Sequence, residues 1–381
     1  MLSASWYKII GLATLQGAIS LTWLIYNIYL PKLLVSYGFS PGLAVLLLIV
    51  ENAIAVILEP LFGSLSDRAY RWLATKFGII SLGVILTSAI SISIPAIVIF
   101  GDLSGAVKWI IPGILIAWAM AMTVFRTPAI SLVGRYAFAS ELPIAMSFLT
   151  LAGGFIAALK PIVQDFILAI GPAFAFAASS IVLLAATGLL RYFDPGMNDD
   201  LPVTKRQPIP FANIGLLIGM GWGLAWGSRA LFETLPKIIK INLPQFDPTF
   251  LMVIISLAIA VSALPAGMFA VKYGNQRAML IGIVATLIGL LSMVFLPSAI
   301  ATTIAIVLFI CCFSWATNGA IPLAINLFPA DRMGLAVGLY FSGVTAGLSS
   351  FSSLFNPIAN LTPLLGAVCG SIGLIVTGGC V

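Results

Sequence analysis

Apolar residues run along this chain in blocks far longer than the core of a soluble helix requires, and polar residues gather in the gaps between them. Charge-free stretches cover residues 9–31, 77–101, 166–190, 207–228 and 248–271. Each is near the roughly 20 residues that carry a helix across a bilayer. Two longer charge-free blocks, 278–330 and 333–381, have room for two crossings each, and Pro297-Ser298 and Asn356-Pro357 offer the breaks inside them. The hydrophobic runs predict twelve helices, over residues 7–30, 41–62, 76–100, 108–133, 142–166, 171–192, 211–235, 248–270, 277–296, 299–327, 332–355 and 362–380. The expected fold class is therefore an all-α membrane protein with twelve transmembrane helices. One connection, Arg191 to Pro210, is long and rich in proline and charge. It divides the chain into a six-helix half over 1–192, a linker over 193–210 and a second six-helix half over 211–381.

The halves echo each other. Leu30-Pro31-Lys32 returns as Leu235-Pro236-Lys237, and Ser40-Pro41 returns as Asp247-Pro248, each pair a helix-capping residue followed by proline at the first helical position. The segment from Gly63 to Arg71 returns at Gly267, and Ala129-Ile130 with Glu141 returns as Ala320-Ile321 with Arg332. Four landmarks in collinear order point to a pair of pseudo-symmetric bundles. Six crossings per half give both halves the same orientation in the membrane.

Composition sharpens this picture. Of 381 residues, 61% are hydrophobic and 8% charged, against about 25% charged in soluble domains, so a water-soluble protein is excluded. The net charge of +6 is accounted for by sorting of basic residues rather than by a nucleic-acid partner. With the N-terminus inside, eleven of the eighteen basic residues fall on the cytoplasmic side, four outside and three within spans. Both termini are then cytoplasmic, and the expected location is a bacterial inner membrane, with basic side chains facing anionic lipid. The run after Lys8 is too long for a signal-peptide core and reads as an uncleaved first span. The chain has no histidine, which removes His-based metal sites and Ser-His-Asp arrangements. Cys311, Cys312, Cys369 and Cys380 lie in apolar stretches and read as small packing residues. No metal, no cofactor and no enzymatic chemistry is expected.

Between the second and third helices stands Gly63-Ser64-Leu65-Ser66-Asp67-Arg68, followed by Arg71. This element resembles the signature loop of the major facilitator superfamily. The helix count, the six-plus-six division, the central linker and the degenerate second copy at Gly267, Lys272 and Gly274 extend the resemblance over the whole chain. Tyr70 stands where that family usually has glycine, and Val271 replaces the acid in the second copy. Gly63, Asp67, Arg68 and Arg71 are thus the candidate gating residues. Asp67 is expected to cap or pair across to another helix, a latch that only the first half can make. Within the superfamily, Phe125-Arg126-Thr127-Pro128-Ala129 looks like the Arg-Gly-Pro-Ala element of glycoside and sucrose cation symporters, with Thr127 in place of glycine.

Charges inside spans cost several kcal/mol unless they face protein or water, so they mark candidate pathway residues. Trp222, Trp226, Arg229 and Glu233 form one stripe on the seventh helix, where Arg229 and Glu233 can pair. Gln16, Ser20, Trp23 and Asn27 form a stripe on the first helix, and Gly153, Ala157, Lys160 and Gln164 one on the fifth. The eleventh helix carries Gly338, Ser342, Thr345, Ser349, Ser352 and Asn356, a surface that serves helix packing or a pathway. In the family the first, fourth, seventh and tenth helices line the central cavity, which by resemblance adds Trp118, Arg126, Trp315 and Asn318. Glu51, Glu59 and Glu233 are the coupling candidates. Glu51 stands about 18 Å of helix before Gly63, near mid-membrane, where a buried carboxylate can take up and release a proton.

These readings converge on a secondary transporter that moves a small polar organic solute by alternating access. The expected partners are that small-molecule solute, a proton or sodium ion, and membrane lipid, with the protein acting as a monomer. The chain has no Walker-type loop to draw on ATP. Tryptophans with Gln16, Asn27 and Asn318 suit a sugar or glycoside, whereas Arg126, Lys160 and Arg229 suit an organic anion. Export of drugs or organic anions, and a non-transporting sensor or assembly factor, are the alternatives.

Overall fold

The computed structural model describes residues 5–73, 76–100, 105–195, 209, 211–355 and 361–381. The described residues form helices and no strand: α1 (Trp6–Ser36), α2 (Pro41–Leu73), α3 (Phe77–Phe100), α4 (Ile110–Ile130), α5 (Val133–Tyr136), α6 (Leu142–Ala158), α7 (Lys160–Phe193), α8 (Phe211–Asn242), α9 (Pro248–Tyr273), α10 (Asn275–Phe295), α11 (Ala299–Asn318), α12 (Ala320–Asn326), α13 (Met333–Leu354) and α14 (Pro363–Cys380). Most of the linker over 193–210, with Lys205 and Arg206, lies outside the described residues, as does Asn356.

Ten helical segments among the described residues are long and apolar enough to cross a membrane. α6, at 17 residues, is shorter. α8 is 32 residues long, but its five glycines, two tryptophans and Asn213 dilute its hydropathy. Capping follows local sequence. The Asp247 carboxylate accepts the Phe250 N–H at 2.9 Å, the Ser298 hydroxyl the Ala301 N–H at 3.1 Å, and the Thr362 hydroxyl the Leu365 N–H at 3.2 Å.

Several boundaries differ from expectation, for identifiable reasons. α1, α2 and α8 run on past 30, 62 and 235 to Ser36, Leu73 and Asn242, because charged residues end an apolar run without ending a helix. Pro31 and Pro236 sit inside helices rather than in connections. The expected span over 299–327 is divided at Gly319 into α11 and α12, and that over 108–133 becomes α4 and α5. The fifth and sixth predicted helices meet within α7, where Gly171 takes φ 81° and breaks the helix ahead of Pro172.

Within the first half α1 packs on α6 and α7, and α3 on α4 and α7; within the second, α8 packs on α14 and α13, and α10 on α11. The two most extensive contacts between the halves are those of α2 with α13 and of α6 with α9. Both crossings are seated on glycine, and these are the two repeat glycines. A Cβ on Gly63 would lie 2.1 Å from the carbonyl oxygen of Gly334, and one on Gly267 would lie 2.0 Å from Ser147 Oγ. The segment from Gly63 to Arg71 is therefore not a loop. It is the last turns of α2, and its glycine permits a backbone-to-backbone approach across the halves.

Candidate functional site

At the end of the bundle that carries Asp67, the halves are tied together. Asp67 Oδ1 accepts the Gly334 N–H at 2.9 Å and Oδ2 accepts the Leu335 N–H at 2.8 Å, so an acid of one half caps the first turn of α13 in the other. The geometry places a carboxylate on the positive end of a 22-residue helix. Lys76 holds the same carboxylate at 2.9 Å and donates to Ser131 Oγ at 2.7 Å. Lys76 is 1% exposed, and its position before α3 is outside the apolar spans. Burial pushes its ammonium below the ordinary lysine range; Asp67 opposes this and Arg135 adds to it. Arg68 is exposed, and the side chain of Arg71 lies outside the described residues. At the same end Asn318 donates to Pro143 O and Ser147 Oγ at 2.9 and 3.0 Å, tying α11 to α6.

Toward the middle of the bundle a cavity of about 290 Å³ opens between the halves, with Trp23, Asn27, Glu51, Asn52, Arg126 and Arg229 among its walls. Two further lobes adjoin it. One, about 340 Å³, shares Trp23, Asn27 and Arg126 and adds Gln16 and Lys160; the other, about 400 Å³, shares Arg229 and adds Ser228 and Tyr340. The first, second, fourth, seventh and eleventh predicted helices thus supply most of this wall, and the tenth supplies Thr317.

Three carboxylates sit in or behind that wall. Glu51 is 6% exposed; its Oε1 accepts the Tyr26 hydroxyl, while Oε2 has no partner. Tyr26 is stacked on Trp118 at 4.1 Å, Trp23 meets both rings edge-on, and Trp118 Nε1 donates to Ser91 Oγ at 2.7 Å. Glu59 is fully buried and accepts from Arg126 and from the Thr127 hydroxyl. A buried acid of this kind persists only with such charge-assisted donors. The Arg126 guanidinium also lies 4.6 Å from the centre of the Phe341 ring. Glu233 pairs with Arg229 at 2.9 Å, but these side chains keep 27% and 41% exposure, so the cost of a fully buried pair does not apply to them.

The remaining tryptophans lie away from the cavity wall. Trp222 and Trp226 stack at 4.9 Å, and Trp226 packs edge-on to Phe351 and Phe355. Trp222 Nε1 donates to Ser350 Oγ at 3.2 Å. Trp315 stacks on Phe269 at 4.2 Å. The eleventh-helix stripe divides in two: Ser342 and Ser349 donate to carbonyls of α2, while Thr345 and Ser352 face the cavity. Sequence reasoning missed Tyr26, Asn52, Thr123, Phe341 and Lys76. Only Thr127 left a signal, as the departure from glycine that supplies the hydroxyl on Glu59.

The search of curated proteins returned no match. Among solved structures, a bacterial homologue of the iron transporter ferroportin in its outward-facing state superposes with a TM-score of 0.76 at 14% identity, covering 100% of this chain and 98% of that one. The proton:xylose symporter XylE, bound to 6-bromo-6-deoxy-D-glucose, gives 0.67 at 16% identity over 97% and 94%. The transporter FucP in its outward conformation gives 0.70 at 10% identity over 98% and 97%. These likenesses establish the fold. The family model described as Major Facilitator Superfamily matches residues 12–352, nearly the whole length. The chain belongs to the major facilitator superfamily, and it is an integral membrane transporter rather than an enzyme.

Proposed function

We propose that this transporter couples the movement of a small, hydroxyl-rich organic solute, of the sugar or glycoside class, to the movement of a proton. The observation that carries the reading is Glu51, a buried acid in the cavity wall with one oxygen held by Tyr26 and the other without a partner. Such a group gains or loses a proton without breaking an ion pair. The solute occupies the central cavity. Trp23 offers it an aromatic face, and Gln16, Asn27 and Asn52 offer amides. Arg126, Lys160 and Arg229 belong to the same site, with Glu59 and Glu233 balancing the two arginines.

The architecture behind this proposal is twelve spans in two six-helix bundles. α6 with the first turns of α7 makes the fifth span, α7 beyond Gly171 the sixth, and α8 the seventh. The Asp67 end faces the cytoplasm together with both termini, in a bacterial inner membrane, and the protein works as a monomer. Asp67, Gly63 and the α13 N-terminus form the cytoplasmic gate, closed in this conformer, and Asn318 supports it. Arg68 meets the lipid headgroups. Trp118, Trp222, Trp226 and Trp315 act behind the wall as packing that fixes its shape.

The iron named for the ferroportin homologue is not carried over. Among the described residues no three His, Cys, Asp or Glu side chains converge, and three cations stand in the cavity walls. Uptake into proteoliposomes driven by an imposed pH gradient, screened over sugars and glycosides, tests the proposal. Accumulation that collapses with a protonophore is expected. Accumulation driven only by a sodium gradient would overturn the proton coupling.

A further inference from the structure

The donors left over in the cavity point to a feature of the solute, and the inference rests on the transport reading above. Arg126 and Arg229 line the same 290 Å³ cavity from opposite halves. A guanidinium carries five N–H donors, and each of these spends Nη2 on its glutamate. Nε of Arg126, Nε of Arg229 and Nε1 of Trp23 are buried without a partner. The three side chains that carry these unpaired donors, two of them cationic, all line one space. Leaving them unsatisfied is costly, so a ligand rich in acceptors gains most there.

The charge inventory makes the same point independently. The cavity and its lobes are faced by three cations, Arg126, Arg229 and Lys160, and by one acid, Glu51. Glu59 and Glu233 neutralise the two arginines. Lys160, exposed at its lobe, has no partner among the described residues, and Glu51 is the one acid among the described residues that faces the cavity or its lobes. Of the elements packed on α2, α1 presents Tyr26 to Glu51 and α4 places Arg126 on the same cavity; α13 carries Tyr340, which faces the lobe shared with Arg229, and the short turn Ala330–Arg332 carries Asp331 and Arg332 at the Asp67 end; Arg229 of α8 lines the cavity from the other half. A proton on Glu51 therefore leaves one cation in excess.

We infer that the solute carries a carboxylate, seated between the guanidinium groups of Arg126 and Arg229, and that it crosses as a monoanion together with one proton. The loaded cavity is then neutral, as is the empty cavity with Glu51 ionised, and neither leaves an uncompensated charge in low dielectric during the crossing. At about 290 Å³ the central cavity, taken without its two lobes, falls just below the about 300–1,000 Å³ range of ligand pockets, a size for a sugar acid or hydroxy acid.

The test uses the full chain in proteoliposomes and matched probes, glucuronate against glucose and glycerate against glycerol. Each pair shares most of its hydroxyls and differs by a carboxylate. At least one acid is expected to accumulate under a pH gradient, acid on the loading side, in preference to its neutral partner and with no response to a potassium–valinomycin potential. Arg229→Gln combined with Glu233→Gln removes both members of a pair and leaves no orphan charge. That variant is expected to lose about tenfold or more of the acid's uptake. Uptake of a neutral probe in preference to its acid overturns this inference and leaves the transport reading standing. Potential-driven uptake of the acid overturns the one-proton stoichiometry. Transport of none of the probes overturns both this inference and the proposed solute class. Should the double variant fail to fold, thermal stabilisation of the unaltered protein by the acids and not by their neutral partners decides the matter, and equal shifts overturn it.

Discussion

Replacing Asp67 by asparagine separates two jobs that this carboxylate performs. Across the halves it accepts the N–H groups of Gly334 and Leu335; within its own half it holds Lys76. Asparagine keeps one acceptor oxygen and turns an NH2 group toward the other N–H. The closed gate then loses one charge-assisted bond and weakens a second, together about 3 kcal/mol at roughly 1.5 kcal/mol each. A difference of that size shifts the ratio of closed to open conformers about 150-fold, enough to bring a minor state of about 1% to parity. The cost at Lys76 falls on both conformers alike, so it lowers stability without moving the balance, and adding Lys76→Gln relieves it. The assay is labelling of Ser147→Cys by a membrane-impermeant maleimide in a background without the four native cysteines. Ser147 is fully buried where α6 meets α9 and is shielded while this end is closed. Labelling should rise steeply with Asp67→Asn and stay flat with Val271→Asn, because Val271 is 45% exposed at the matching position of the other half. Unchanged labelling in Asp67→Asn, or equal increases in both variants, would refute the argument.

Gly63→Ala places a Cβ 2.1 Å from the Gly334 carbonyl and should lower the melting temperature through an overpacking cost of about 1–3 kcal/mol, whereas Gly78→Ala, which meets nothing within 4 Å, should leave it unchanged in the same thermal scan. Trp226→Ala empties a site among Phe351 and Phe355 and should reduce stability with little change in KM, while Trp23→Ala, in the cavity wall, should raise KM with little loss of stability. Lys76 binds its proton less tightly in the folded protein than in the unfolded chain, where the value is 10.5. Stability should therefore rise as pH climbs from the lowered value toward 10.5, and Lys76→Gln should remove that slope from melting curves taken across the alkaline range.

The membrane character, the order of the helices and the position of Asp67 were legible because bilayer thickness writes itself into the spacing of charges. Helix ends were less so: nothing in the run from Arg68 to Leu73 tells a helical extension from a loop, since polar residues at a membrane surface do either. The repeat at Gly63 and Gly267 was visible as a pattern, but its meaning required knowing which helices cross. Intrahelical pairing was readable for Arg229 and Glu233 at i, i+4. The pairing of Arg126 with Glu59 and of Tyr26 with Glu51 was not, because the partners are 67 and 25 residues apart and a tyrosine in an apolar helix looks like packing. Tryptophan stripes left a related question open. Helical spacing says that Trp222 and Trp226 share a face, and only the packing of α13 against that face says that it is covered.

Glu51 is the proposed proton carrier, and Glu51→Gln tests that role most directly, since glutamine mimics the protonated acid and keeps an acceptor for the Tyr26 hydroxyl. In proteoliposomes this variant should exchange solute between preloaded and external pools at close to the unaltered rate. It should fail to accumulate solute under a pH gradient at every pH tested. Normal gradient-driven accumulation by Glu51→Gln would contradict the account and move the coupling to Glu59 or to another ion.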